Sequence, residues 1–321
     1  RDIAKDDARA NGLYQQACDG GHMVACAVLG HNYMWGYGVA KNYPRAAELE
    51  KRACDGGANN GCFNLALIYD DGLGVAKDHP RAAQLYNMAC AKQDADACLN
   101  AGVLYEDGEG IGKNLSRAAG YYSTACDDGL AKGCKFLADM LSEGKGVTLD
   151  LARANQIYQK GCDAGNAGSC TSLGLDYEDG KGVPRDLRRA ATLYDQGCKG
   201  DDQVGCVSLG VLYETGKGVP KNPARAAALY QGGCEAKSEL GCGFLADLYE
   251  TGKGVPYDHN RALALYRQAC GMGYQKACSK VAGTGNAGGG QVPTKPRNVW
   301  DDPNDDPFGG DGGFIKPARS K

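Results

Sequence analysis

Long apolar runs are missing from this chain: none approaches the roughly 20 residues that a membrane-spanning helix requires. A surplus of charge is missing too. Lys and Arg number 36 against 39 Asp and Glu, for a net charge of −3. With no basic run either, this argues against a nucleic-acid surface or a patch for anionic membranes. No Cys-x-x-Cys occurs, and the four histidines (His22, His31, His79 and His259) are read as holding unrelated places in the chain. Zinc sites favour close cysteine pairs with nearby histidines, so a metal centre is not expected and none is assigned. The chain starts at Arg1 without a Met or a signal-like segment; the expected reading is a removed signal peptide or a trimmed chain.

Catalytic signatures are equally scarce. Gly-x-Ser-x-Gly and His-Glu-x-x-His are absent. A phosphate loop fails because five residues, not four, separate Gly210 from Gly216-Lys217, and Gly follows the Lys. Ser142-Glu143-Gly144-Lys145 fits the Ser-x-x-Lys pattern of serine β-lactamases, but the companion Ser-Asp-Asn and Lys-Thr-Gly elements are missing. The Asp run at 301–306 lacks the alternation and central Gly of a calcium loop. No cofactor and no catalytic residue is assigned.

What the chain does have is cysteine, in strict order. Cys18 pairs with Cys26, Cys54 with Cys62, Cys90 with Cys98 and Cys126 with Cys134. Then come Cys162 with Cys170, Cys198 with Cys206, Cys234 with Cys242 and Cys270 with Cys278, which uses all 16 cysteines. Members of a pair lie 8 residues apart, and each pair begins 36 residues after the last, as Cys90 follows Cys54. A fixed period of this length marks a solenoid of stacked repeats, which overrides the two or three globular domains that 321 residues would otherwise suggest. Paired structural cysteines belong to oxidising compartments, so they read as disulfides and the chain as periplasmic or secreted.

Between cysteines the period is helical. Ala82, Leu85, Tyr86 and Ala89 fall at spacings of three, four and seven, one stripe of an α-helix. Around Cys206, Leu209, Gly210 and Tyr213 make a second stripe. The first helix of each repeat ends at a Gly (36, 72, 108, 144, 180, 216 or 252), the residue favoured just past a helix C-terminus. Asp78, Asn114, Asp186 and Asn222 then open the second helix as N-caps. A small residue in the first helix (Gly30, Ala66, Gly102, Ala138, Gly174, Gly210 or Ala246) allows close helix approach. Residues 1–18 match a second helix, so the array opens on a half-repeat. The pattern stops near Ala282, and 283–321 reads as a Gly-, Pro- and Asp-rich tail, flexible or partner-bound.

The motifs Leu-Gly/Ala-x-x-Tyr-x-x-Gly-x-Gly-Val and Arg-Ala-Ala-x-Leu-Tyr resemble Sel1-like repeats, relatives of the tetratricopeptide repeat. With the cysteine spacing, residues 1–282 are most similar to the secreted cysteine-rich Sel1-like proteins first known from Helicobacter. The resemblance implies an all-α αα-hairpin solenoid forming a right-handed superhelix, one disulfide per hairpin, and a concave groove lined by first helices. Leu141, Glu50 and Asn155 depart from the motif and should loosen packing locally.

On each first helix, the positions two before and one, five and eight after the second cysteine form a face separate from the core stripe. Its expected partner-binding residues are Phe63, Leu67, Leu99, Val103, Lys135, Asp139, Leu175, Val207 and Val211, with Trp300, Phe308 and Phe314 in the tail. An acidic row (Asp70, Glu106, Glu178, Glu214 and Glu250) runs along one edge. The expected function is an exported scaffold that binds another protein or a peptide segment and performs no catalysis. Two alternatives stand beside it: a protein binding or hydrolysing β-lactams or cell-wall compounds, as the resemblance allows, and an assembly factor of a redox compartment such as the mitochondrial intermembrane space.

Overall fold

A computed structural model describes residues 3–282, and every element in it is an α-helix. The helices are α1 (Ile3–Asp19), α2 (Met23–Trp35), α3 (Tyr43–Asp55), α4 (Asn59–Asp71), α5 (His79–Cys90), α6 (Ala95–Asp107), α7 (Leu115–Asp127) and α8 (Ala131–Glu143). They continue with α9 (Leu151–Asp163), α10 (Ala167–Asp179), α11 (Leu187–Lys199), α12 (Gln203–Thr215), α13 (Pro223–Glu235), α14 (Glu239–Thr251), α15 (His259–Gly271) and α16 (Gln275–Ala282). Even-numbered helices are the first helices of the repeats; odd-numbered helices are the second. They fall into two compact units, an N-terminal half through Leu149 and a C-terminal half from Asp150.

The boundaries follow from local chemistry. Asn42, Asp78, Asn114, Asp150, Asp186, Asn222 and Asp258 each place a side-chain oxygen on the backbone N–H three residues on, at the start of α3, α5, α7, α9, α11, α13 and α15. This satisfies one of the donors a helix start leaves open. Gly36, Gly72, Gly108, Gly144, Gly180, Gly216 and Gly252 close the first helices in the left-handed conformation, with φ from +66° to +82°. A side chain there would be strained, which explains the recurrence of Gly at that step.

All eight cysteine pairs are disulfides, bonded as the 8-residue spacing suggests. In the N-terminal half Cys18 is bonded to Cys26, Cys54 to Cys62, Cys90 to Cys98 and Cys126 to Cys134. In the C-terminal half Cys162 is bonded to Cys170, Cys198 to Cys206, Cys234 to Cys242 and Cys270 to Cys278. None of the cysteines is free. Each bond joins the end of a second helix to the start of the next first helix across a short turn. The first-helix sulfurs lie deep: Cys26, Cys98 and Cys242 are 0 % exposed and Cys62 and Cys134 1 %. Cys170 is buried as well, and only Cys278, in the last helix, is half-buried.

Inside, Tyr86, Tyr122, Tyr194 and Tyr230 are the largest fully buried side chains. The small first-helix residue makes room for them: a Cβ added to Gly174 would stand 2.7 Å from Tyr194 Cε1. Ala holds this place at 66, 138 and 246, so the site has a little give. Gly174→Val should exceed it and lower stability by about 1–3 kcal/mol, read as an earlier urea midpoint with unchanged slope. A midpoint equal to that of the parent would refute the close-contact account.

Candidate functional site

The expected binding face divides when burial is considered. In the N-terminal half, Phe63 and Val103 are half-exposed, and Phe63 tilts against Tyr86 at 6.0 Å between ring centroids. In the C-terminal half, Leu175 and Val211 are half-exposed. Leu67, Leu99 and Val207 are not surface residues: they are 6 %, 0 % and 5 % exposed. A first helix touches its own second helix and also neighbouring first helices, as α2 meets α4 and α10 meets α12. Its buried arc is therefore wider than one stripe, and these three side chains fill the added contact. They support the face from beneath. Lys135 and Asp139 pair with each other at 2.6 Å along one turn of α8. Trp300, Phe308 and Phe314 lie outside the described residues.

The acidic row has a structural duty that the sequence reading missed. Four buried second-helix tyrosines donate their hydroxyls to the carboxylate 16 residues earlier: Tyr122 to Glu106 at 2.7 Å, Tyr194 to Glu178 at 2.6 Å, Tyr230 to Glu214 at 3.1 Å and Tyr86 to Asp70 at 3.5 Å, whereas Ser142 stands in the acid's place before the buried Tyr158. In the last repeat Tyr266 turns to Asp247, three residues short of the usual partner. Burial, reinforced by the neighbouring carboxylate, pushes the phenol pKa of Tyr122, Tyr194 and Tyr230 far up. The tyrosine stays a neutral donor and the carboxylate is held in place. A signal existed: where Glu50 replaces the tyrosine, Met34 replaces the acid 16 residues before it.

A second recurrent contact explains the Arg of Arg-Ala. Arg81, Arg117, Arg189, Arg225 and Arg261 lie over the rings of Tyr69, Tyr105, Tyr177, Tyr213 and Tyr249, at 4.6–4.9 Å from the centroids. Cation–π contacts of this kind tie the two helices of a hairpin together at the turn.

Nor are the histidines all scattered. His79 and His259 stand 180 residues apart, five repeat steps, and so hold the same place. Each turns Nδ1 to the acidic-row residue nine positions earlier: His79 to Asp70 and His259 to Glu250, both at 2.9 Å. The two halves treat the row differently. In the N-terminal half Asp70 is 2 % exposed beside His79, and Glu106 Oε1 takes the Lys145 ammonium at 2.6 Å. In the C-terminal half, Lys217 and Lys253 hold the place of Lys145 in their turns but pair with neither Glu178 nor Glu214 among the described residues.

These contacts bear on the Ser-x-x-Lys pattern. Ser142 donates its hydroxyl to the Asp139 carbonyl at 2.9 Å. The hydrogen bond to Glu106 raises the Lys145 pKa, holding the ammonium charged. A lysine that activates a serine must give up that proton. Among the described residues, no group of three His, Cys, Asp or Glu side chains is placed to hold a metal ion, and no helix is long and apolar enough to cross a membrane.

Comparison with known proteins agrees with the helical frame. The profile of the Sel1 repeat matches eight consecutive segments: residues 1–22, 24–57, 60–94, 95–130, 131–166, 167–202, 204–238 and 239–274. The fold is similar to that of c5321, a protective antigen of uropathogenic Escherichia coli, with a TM-score of 0.77 and 27 % identity over 84 % of this chain and 58 % of the antigen. The chain thus spans little more than half of that antigen's length. A Sel1 repeat protein from Oxalobacter formigenes shares the fold with a TM-score of 0.73 and 23 % identity, covering 88 % of this chain and 82 % of that one. Cysteine-rich protein B of Helicobacter pylori is 36 % identical over 41 % of this chain and 96 % of its own, with a TM-score of 0.35. A search of curated sequences returns no match. Eight disulfides are consistent with an oxidising compartment, and eight matched segments with one helix order identify the chain as a member of the Sel1 repeat family.

Proposed function

We propose that this chain is an exported protein–protein interaction scaffold that holds a partner segment against its first-helix faces and catalyses nothing itself. One observation carries the reading: half-exposed apolar side chains recur on successive first helices, Phe63 and Val103 in one half, Leu175 and Val211 in the other. The frame beneath them is fixed by disulfides, Tyr–carboxylate bonds and Arg–Tyr stacking. A rigid face loses little conformational entropy when it binds, so modest apolar contacts yield useful affinity. The disulfide chemistry supports export to the periplasm or the exterior, because reducing compartments keep thiols free.

Site-specific photo-crosslinking in the native envelope tests the reading. Benzoylphenylalanine in place of Phe63, Val103 or Val211 should capture a discrete protein partner. The same group in place of Met88 or Thr192, exposed on second helices, should not. Crosslinks confined to the second-helix positions would overturn the assignment of the face.

A further inference from the structure

Resting on that reading, we infer that the C-terminal half takes a basic, extended segment with a cationic side chain at every third residue. The face there combines a floor and an edge. Leu175, Val204, Val211 and Leu240 form a half-exposed aliphatic floor on α10, α12 and α14. Glu178, Glu214 and Glu250 mark one edge, one per repeat, and Asp247 stands exposed beside them.

Three observations give the occupant its chemistry. The first is charge. The carboxylates of Glu178, Glu214, Asp247 and Glu250 meet a tyrosine hydroxyl or a histidine but no Lys or Arg among the described residues, although Arg185 Nε donates to the Glu178 backbone carbonyl at 2.7 Å. In the N-terminal half Glu106 and Asp139 are already answered by Lys145 and Lys135. The second is preorganisation. The Tyr194 and Tyr230 hydroxyls hold the carboxylates in place, so a partner cation meets a fixed charge instead of ordering a loose side chain.

The third is spacing. The first helices α10 and α12 stand side by side, and packed helices lie about 8–10 Å apart. The acidic edge therefore advances by about 9 Å from Glu178 to Glu214. A polyproline-II segment advances about 3.1 Å per residue and completes a turn in three residues, also about 9 Å. Its every third side chain falls on one stripe. A Lys or Arg stripe then meets the carboxylates, while an adjacent apolar stripe rests on the floor. An α-helical ligand rises only about 1.5 Å per residue and repeats its face at about 5.4 Å, which does not match.

The probe is a fluorescein-labelled peptide of four Lys-Leu-Pro triplets, titrated with the full-length oxidised chain by anisotropy. Two comparators are a Glu-Leu-Pro peptide and a peptide of the same composition with its lysines unevenly spaced. The protein variant is Glu178→Gln with Glu214→Gln, in which each side-chain carbonyl still accepts the tyrosine hydroxyl. The regular Lys peptide should bind best and weaken with salt. The double variant should bind about tenfold less tightly with an unchanged melting curve. Equal binding of the unevenly spaced peptide would overturn the register; unchanged affinity of the double variant, or no binding of the Lys peptide, would overturn the site. A partner crosslinked at Phe63 or Val103 alongside such a failure would leave the scaffold reading standing and remove only this inference.

Discussion

Full reduction of the eight disulfides should lower the melting temperature by tens of degrees, to the point where no cooperative transition remains above room temperature. The argument is one of magnitude. Closing an 8-residue loop removes about 2–3 kcal/mol of chain entropy from the unfolded state. Eight such loops together contribute more than the roughly 5–15 kcal/mol by which natural domains are stable. Little else compensates: each repeat offers two short helices, whose tyrosine, leucine and alanine core needs its neighbours to be buried. Removing one pair, as in Cys198→Ser with Cys206→Ser, should cost about 2–3 kcal/mol, or about 5–10 °C. Melting followed by circular dichroism, with thiols counted in parallel, checks both. A reduced chain with sixteen free thiols and the oxidised melting temperature would refute the account.

The second large effect belongs to Glu50. It replaces the second-helix tyrosine, is 0 % exposed, and takes one hydrogen bond, from Asn64 to Oε1 at 2.9 Å; Oε2 has no partner. Burial raises its pKa well above the carboxylate range, and the Asn64 bond offsets this only in part. A folded-state pKa above the unfolded one means that folding favours the protonated form. That contribution is complete below the unfolded pKa and is lost as pH rises through the folded value. Glu50→Gln keeps the shape and the Asn64 acceptor without the charge. It should stabilise the chain by about 1–2 kcal/mol at alkaline pH, where the native carboxyl is ionised, and leave it nearly unchanged near pH 4. Urea midpoints of the two proteins across that range give the answer; parallel pH profiles would show that Glu50 does not titrate with folding.

How much of this was legible from residues alone depends on whether the cause was local. Helix ends were legible because Asp78 or Gly72 acts within three or four residues of itself, through a cap or a left-handed turn. Disulfides were legible because 8-residue spacing leaves each sulfur one near partner, as Cys62 is for Cys54. The proposed face was legible only in part. Phe63, Val103, Leu175 and Val211 reach its surface, whereas Leu67, Leu99 and Val207 follow the same spacing into the core, because a period identifies a face but not the neighbour covering it. The acidic row was seen, but its bond to tyrosine was not. Its bond to tyrosine links positions 16 residues apart on facing helices, a distance at which periodicity within one helix is silent. The joint loss of Tyr and acid at Glu50 and Met34 was a trace of it, blurred by Ser142 in the acid's place before Tyr158.

Because every disulfide closes within a single 36-residue step, the array is divisible without remainder. Duplication or deletion of one step in the gene adds or removes two cysteines that are already partners, together with the caps of its helices. No orphan thiol is created for mispairing, and the residues on either side meet the kind of neighbour they met before. Copy number is thereby freed from the chemistry of cysteine pairing, and lineages can lengthen or shorten the array while each bond keeps its own partner.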